Sequence, residues 1–416
     1  MATSLKIRLL ANKSLLHGGD FFQIRCCCHV INLIVQAGLN LIDGVVCKIR
    51  NVAKHLKNSV PKKKKFYEIA EQSFHLNTRK RLRSDCCVRW NSTFIMLDRA
   101  IYFKAVLDHW GQRDREFGIF ALSEEEWEKI AILHKFLKVF YDVTNQFSAS
   151  KHPTANIYFR GVWEIHRKLI ETANGPYDFM VDMVREMQVK FNKYWSEYSL
   201  ILSCATVLDP RCKLELVEYC YSKLYGEISA REMVQNIKNT LYDLFEEYML
   251  RSTSVFSPKI GTSSGSDVGN QDADSFEDYE LFLSKKQKHD HRKSQLDLYL
   301  EEQNLGLHID LDILAYWRDA SGRFPELASM ARDILAISIS TVPSESAFSM
   351  GKKLINPWRN SLSPKTIQAI TCYEDWLRAK GFSLGQSGVL GANMEESSED
   401  EDDEEEMEEG LHGSVI

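Results

Sequence analysis

Apolar residues recur at helical spacing through most of the chain from His29 to Leu250, and then the pattern stops. This constrains the fold more than any other feature, because a core built from such stretches is a core of packed helix faces. Val30, Ile31, Leu33, Ile34, Leu39, Leu41 and Ile42 predict a strongly buried helix over about 29–56, with a break near Gly38 or Gly44 and an end at Pro61. Phe94, Met96, Leu97, Ile101, Val106 and Leu107 predict a helix over 92–110, capped by Ser92. Ser123 with Glu126 has the form of a capping box, ahead of Trp127, Ile130, Leu133, Phe136, Leu137 and Phe140. Further helices are predicted over about 155–173, 177–197, 210–225 and 228–250. The best strand candidate is Phe21–Arg25, after the turn His17-Gly-Gly-Asp20.

Residues 251–275 are rich in Ser, Gly, Thr and Asp and read as a linker. Order is predicted to resume at Leu296 and run through Leu311–Trp317, Phe324–Ile337, a helix opened by Pro343, and one opened by Ser363-Pro364 that reaches Leu377. After Gly381 the chain turns Gly/Ser-rich, then acidic, and is expected to be disordered.

Charge is distributed as unevenly as hydropathy. The formal net charge is −6, with 52 Lys+Arg against 58 Asp+Glu, but 12 of the acids crowd into Glu395–Glu409. The remainder carries 46 acids against 52 bases, a body of +6 with an acidic tail, which points towards nucleic acid or a basic partner. Within the body, Lys48–Arg83 holds 12 Lys/Arg and two Glu, including Lys62, Lys63, Lys64, Lys65 and then Arg79, Lys80, Arg81, Arg83. Such clusters contact phosphates without reading sequence, and they also fit a nuclear import signal. A solvated loop is the alternative reading. The tail is read as a solubilising segment that weakens non-specific DNA binding intramolecularly.

No run approaches the roughly 18 apolar residues of a membrane helix, so no membrane partner is expected. No secretory signal is expected at the first residues. The ten cysteines include the contiguous Cys26, Cys27 and Cys28, which suits a reducing compartment better than a disulfide framework.

Four motifs occur in order. Arg25-Cys-Cys-Cys-His29 precedes Val30-Ile-Asn-Leu-Ile-Val35. Val88-Arg-Trp-Asn-Ser-Thr93 precedes Phe94-Ile-Met-Leu97. Val207-Leu-Asp-Pro-Arg211 is the third. The fourth runs from Asp312-Ile-Leu-Ala-Tyr-Trp317 through Phe324-Pro-Glu-Leu327 and Ala331-Arg-Asp-Ile-Leu335 to Val342-Pro-Ser-Glu-Ser-Ala-Phe-Ser349, ending with Arg359-Asn-Ser-Leu-Ser363 and Asp375-Trp-Leu377. Together they resemble the hAT superfamily of cut-and-paste DNA transposases, and among these the plant RICESLEEPER-like zinc finger BED group, over about residues 1–382.

The resemblance implies a mainly α fold with a partial α/β remnant, in which an incomplete RNase H-like core is interrupted by a long helical insertion and followed by a C-terminal hAT dimerisation region. It divides the chain into 1–120 (the end of the first RNase H-like segment, with the basic patch), 121–250 (helical insertion), 251–290 (linker), 291–382 (dimerisation) and 383–416 (acidic tail). In the family two Asp and one Glu hold two metal ions for phosphodiester attack. Glu345 is the counterpart of that Glu. Both family Asp precede the Cys-x-x-His motif, and the only Asp before Cys26 is Asp20, in a loop. Transposase chemistry is therefore not expected, and Mg²⁺ only if a longer native chain completes the core. Nor does any Cys/His spacing match a zinc finger. Cys26 and His29 are read as a structural motif rather than a metal site.

Arg89 and Trp90 are candidate DNA contacts, with Trp90 either stacking on a base or opening a helix from the core. Trp317, Phe348, Trp376 and Leu377 are candidate dimer anchors, because the C-terminal block carries more large apolar residues than its own core needs. The resulting expectation is a nuclear, DNA-binding protein that dimerises with itself or with a related hAT protein. A fragment of an active transposase and a protein–protein module without a DNA role remain the alternatives.

Overall fold

A computed structural model describes residues 2–12, 14–86, 88–113, 117–255, 293–345 and 362–380. Helix α1 spans Ala2–Ala11, and its Leu5, Ile7 and Leu10 are exposed. Helix α2, Cys27–Leu39, is the centre of the fold. Cys27, Cys28, Val30, Ile31, Ile34, Val35 and Gly38 are all buried, as a helix apolar around most of its circumference requires. It is followed by α3 (Asp43–Lys57), so the predicted break falls between the two glycines, around Asn40–Ile42.

Gly38 itself lies inside α2 and serves a different purpose. A Cβ there would sit 2.6 Å from Met187 Cγ and 2.7 Å from Met183 Cγ, on the helix α2 packs against. Gly38→Val should therefore overpack this contact. The expected loss is about 1–3 kcal/mol, read as a lower urea midpoint at unchanged slope. An unchanged midpoint would show that the methionines yield freely.

Pro61 opens a helix instead of ending one. It sits in the first turn of α4, Val60–Phe74, where its missing N–H has no partner to lose. The predicted helix 92–110 is two, α5 (Trp90–Tyr102) and α6 (Lys104–Arg113), separated at Phe103. Ser92 does not cap α5. Its hydroxyl accepts from Cys86 N–H at 2.8 Å and donates to backbone carbonyls, pinning the approaching loop. Ser123 does cap α7 (Glu124–Phe147): its side chain accepts from Glu126 N–H at 3.2 Å, and Glu126 accepts from Ser123 N–H at 2.9 Å.

Helices α8 (Tyr158–Ala173) and α9 (Asp178–Trp195) follow, then the short α10 (Leu200–Val207), buried from Ile201 on, which the helices predicted from the sequence do not include. Helix α11 covers Lys213–Val255 and is broken at Gly226, whose φ of 78° is open to glycine without strain. This is the break between the two helices predicted at 210–225 and 228–250. The C-terminal part supplies α12 (Gln295–Glu301), α13 (Ile313–Asp319), α14 (Pro325–Leu335) and α15 (Pro364–Ala379). The 251–290 linker beyond Val255 and the acidic tail lie outside the described residues.

Among the described residues there is no strand. Phe21–Arg25 is irregular because no ladder forms beside it. The returning chain offers one backbone bond there, Cys27 N–H to Ile339 O at 2.8 Å.

One hydrophobic core runs from Cys27 to Ile339. The turn between α10 and α11 fastens the C-terminal block to it. Trp317 Nε1 donates to Leu208 O (2.9 Å) and Tyr299 Oη to Val207 O (2.9 Å). Lys213, 1% exposed, donates to the carbonyls of Tyr299 and Glu302 at 2.5 Å each, the C-terminal end of α12. Burial pushes the Lys213 ammonium below its ordinary value, partly offset by Glu302 and Glu215. Trp317 is therefore fully buried within its own chain, and the expectation that it anchors a dimer is corrected: its indole N–H needs the Leu208 carbonyl, and only internal packing supplies it.

Candidate nucleic-acid interface

The lysine run lies on a formed helix. Phe66 and Ala70 bury fully, and Tyr67 nearly so, against the core side of α4, which leaves Lys64 and Lys65 exposed and Lys62 and Lys63 half-buried. Lys62 Nζ meets His55 Nε2 at 3.1 Å, and Lys64 has Glu68 at 3.8 Å one turn on. His75, at φ 54°, ends the helix in a left-handed cap.

The chain then folds back across α4 and α5 without regular structure, held by two tyrosines. Tyr102 Oη accepts from Asn77 N–H (2.8 Å), and Tyr67 Oη from Leu82 N–H (2.8 Å). The same rings carry the second basic cluster. Lys80 Nζ lies 4.7 Å from the Tyr102 ring centre, and the Arg81 guanidinium 4.3 Å from that of Tyr67. Tyr67 follows Lys63 and Lys64 by one helical turn of α4, so the helix that carries the lysine run also carries the ring under Arg81. The fold thus joins clusters that are some 15 residues apart in sequence. The tyrosine platforms are the part that charge counting missed, since nothing near Lys80 or Arg81 in sequence names Tyr102 or Tyr67.

Asp85 closes the segment. Arg50 donates to it through Nε (2.7 Å) and Nη2 (2.9 Å), and Thr93 through its hydroxyl (2.8 Å). Burial pushes the Asp85 carboxyl up, but the hydrogen bonds from Arg50 and Thr93 outweigh it and hold the carboxyl below its ordinary value. Arg50 is thus a structural member of the basic region, tying α3 to the loop before α5.

The other predicted contacts divide. Arg79, Arg81 and Arg89 are exposed, and Lys80 and Arg83 half-buried. Trp90 is 2% exposed, the first residue of α5 turned into the core, so the stacking reading is corrected: no face of its indole is left for a base.

Glu345 lies in a helical turn at 342–345, exposed, and accepts from the Thr341 hydroxyl at 2.6 Å. Asp20 lies instead beside His17, at 3.3 Å. Among the described residues no three His, Cys, Asp or Glu side chains gather to hold a metal ion, so they do not fit a two-metal centre and no catalytic step is derived through one. Cys26 is the N-cap of α2 and His29 is exposed on its first turn.

Of the dimer anchors, Trp376 is 65% exposed on α15, with Tyr373 one turn earlier at 57%. Leu377 is half-buried. Phe348 lies outside the described residues.

Three family models match the chain in succession: the ZBED1 RNase-like helical domain over residues 24–136, the hAT-like transposase RNase-H fold over 156–248, and the hAT family C-terminal dimerisation region over 295–377. Zinc finger BED domain-containing protein RICESLEEPER 2 of Oryza sativa subsp. japonica is 32% identical over 383 residues, covering 89% of this chain and 53% of that protein. The putative AC transposase of Zea mays is 34% identical over 374 residues, 88% of this chain and 46% of its own length. Zinc finger BED domain-containing protein DAYSLEEPER of Arabidopsis thaliana is 32% identical over 313 residues, 75% of this chain and 43% of its own. The chain spans about half the length of the curated relatives it matches.

Proposed function

The chain belongs to the hAT transposase family and carries its RNase H-like and dimerisation regions, and from that premise we propose that it is a DNA-binding, dimerising protein of the nucleus that holds duplex DNA without cleaving it. The observation that carries the DNA reading is the junction of the two basic clusters, where Arg81 lies over the ring of Tyr67, a residue one helical turn from Lys63 and Lys64 on α4. A surface of this kind binds phosphates and leaves base edges unread. The same clusters suit nuclear import.

The direct test is fluorescence anisotropy on a duplex of arbitrary sequence at 50 mM and 200 mM salt. About four phosphate contacts imply a loss of roughly 10²-fold in affinity between the two. Undetectable or salt-insensitive binding would overturn the DNA reading.

Dimerisation is assigned to α15. Tyr373 and Trp376 are three residues apart on one helical face and are the large side chains of this segment left to solvent. An exposed Trp–Tyr pair on a family dimerisation region suits an isologous contact with a second copy or with a related hAT chain. By size exclusion with light scattering the wild type should be a dimer. Trp376→Ala should weaken it roughly 30-fold or more, the effect of losing an interface residue of at least 2 kcal/mol. A wild-type monomer at micromolar concentration would sink this assignment.

A further inference from the structure

The three consecutive cysteines find no use in DNA binding or dimerisation, yet they stand where two distant parts of the chain meet. Cys26 Sγ accepts the backbone N–H of Thr341 at 3.3 Å and lies 4.0 Å from the Ser340 hydroxyl. Beside it, Cys27 N–H donates to Ile339 O at 2.8 Å. These contacts span more than 300 residues and hold the start of the turn that carries Glu345 against the N-terminus of α2. Cys26 is half-buried, so its sulfur is within reach of a small solute, whereas Cys27 and Cys28 are buried.

We propose that Cys26 and Cys28 form a peroxide-sensitive dithiol whose oxidation releases the Ile339–Glu345 segment from the N-terminus of α2. Cys26 has the environment of a reactive thiol. Hydrogen bonding from Cys28 first, then from Thr341, holds its thiol down at about 4 against burial, which pushes it up. Cys28 is pushed the other way, by its hydrogen bond to Cys26 and then by burial, so it keeps its proton. The pair thus consists of one thiolate and one thiol. Two residues apart, their Cα atoms are separated by at most about 7 Å, a span a disulfide accepts.

The chemistry balances with a hydroperoxide as oxidant. The Cys26 thiolate attacks the peroxide oxygen, the O–O bond breaks, and alkoxide or hydroxide leaves, giving a sulfenic acid at Cys26. The Cys28 sulfur then attacks the Cys26 sulfur, the S–O bond breaks, and the Cys28 proton departs with the hydroxyl as water. Two electrons have passed from the dithiol to the peroxide. Bonding of Cys26 Sγ to Cys28 replaces the thiolate that accepts the Thr341 N–H by a neutral disulfide sulfur. Cys28 in turn leaves Ser148 Oγ, now 3.3 Å away. A dithiol reductant reverses the change.

The test uses the full chain and hydrogen peroxide, read by peptide mass and hydrogen exchange. The peptide containing Cys26–Cys28 should lose the mass of two hydrogen atoms, and amides of 339–345 should exchange at least about tenfold faster, both restored by dithiothreitol. In Cys28→Ser the reaction should stop at a sulfenic acid that dimedone traps on Cys26. Iodoacetamide on the untreated wild type gives a measurement independent of any variant's folding. Alkylation of Cys26 should be nearly flat between about pH 6 and 8, while that of free cysteine in solution climbs with pH. Oxidation confined to the exposed Cys86 and Cys372, a Cys26 alkylation rate that climbs as that of free cysteine does, or a disulfide that leaves exchange at 339–345 unchanged would each overturn the proposal.

Discussion

Replacing Lys63, Lys64 and Lys65 together with alanine should lower the slope of log affinity against log salt by about 2.7, and affinity for duplex DNA at 0.15 M salt by roughly 10²-fold. Lys64 and Lys65 are exposed and Lys63 half-buried on α4, ahead of the buried Phe66 and Tyr67. Each neutralises about one phosphate if the surface is used as proposed, and each such contact releases about 0.9 counterion. Alanine is the strongest helix former, so α4 should persist. Lys62 is spared because it touches His55. The exposed Lys64–Glu68 contact adds little to stability. The loss should be alike for all sequences tested, since phosphate contacts carry no base information. Anisotropy over a salt series decides it. A slope unchanged within error would mean that the duplex lies elsewhere or is not bound.

What the sequence made legible depended on how local the cause was. The Ser123–Glu126 capping box is complete within four residues, and the structure reproduces both of its bonds. The break at Gly226 is equally local, since one glycine adopting a positive φ suffices. Phe21–Arg25 had the composition of a strand, but a strand exists only with a partner, and the returning chain offers a single bond at Ile339. Pro61 looked like a terminator because proline ends helices in their interior, whereas in the first turn it begins one.

The aromatic residues show the same limit at the candidate site. Composition says that Trp90, Trp317 and Trp376 will seek burial. It does not say against what. Trp90 and Trp317 are satisfied within the chain, while Trp376 on α15 is not. The basic patch was legible as charge, but its geometry was not. That rests on hydroxyls of Tyr67 and Tyr102 bonding to backbone N–H groups 15 and 25 residues away.

Asp209→Ala should destabilise the fold by about 3–5 kcal/mol and loosen the C-terminal block first. Asp209 is 1% exposed and is the hub of the turn between α10 and α11. Its carboxylate accepts from Arg211 Nε at 3.0 Å and Nη2 at 2.7 Å, from Arg211 N–H at 3.1 Å, and from Asn156 Nδ2 at 2.9 Å. Hydrogen bonding to this carboxylate raises the Arg211 guanidinium above its ordinary value. Alanine leaves the Arg211 fork and the buried Asn156 amide without their acceptor, and a half-buried cation stripped of its partner is more costly than the pair was worth. The effect should spread because the same turn holds other attachments. Arg211 Nη1 donates to Ile309 O at 3.1 Å, Lys213 holds the end of α12, and Leu208 O accepts from Trp317. Once the turn relaxes, the attachments it gives to residues 293–345 weaken together. The expected readout is a lower urea midpoint, with amides of α12 to α14 losing exchange protection before those of α2 and α9. A loss below about 1 kcal/mol, or uniform loosening, would show that apolar packing of Tyr299 and Trp317 docks the block without the charged turn.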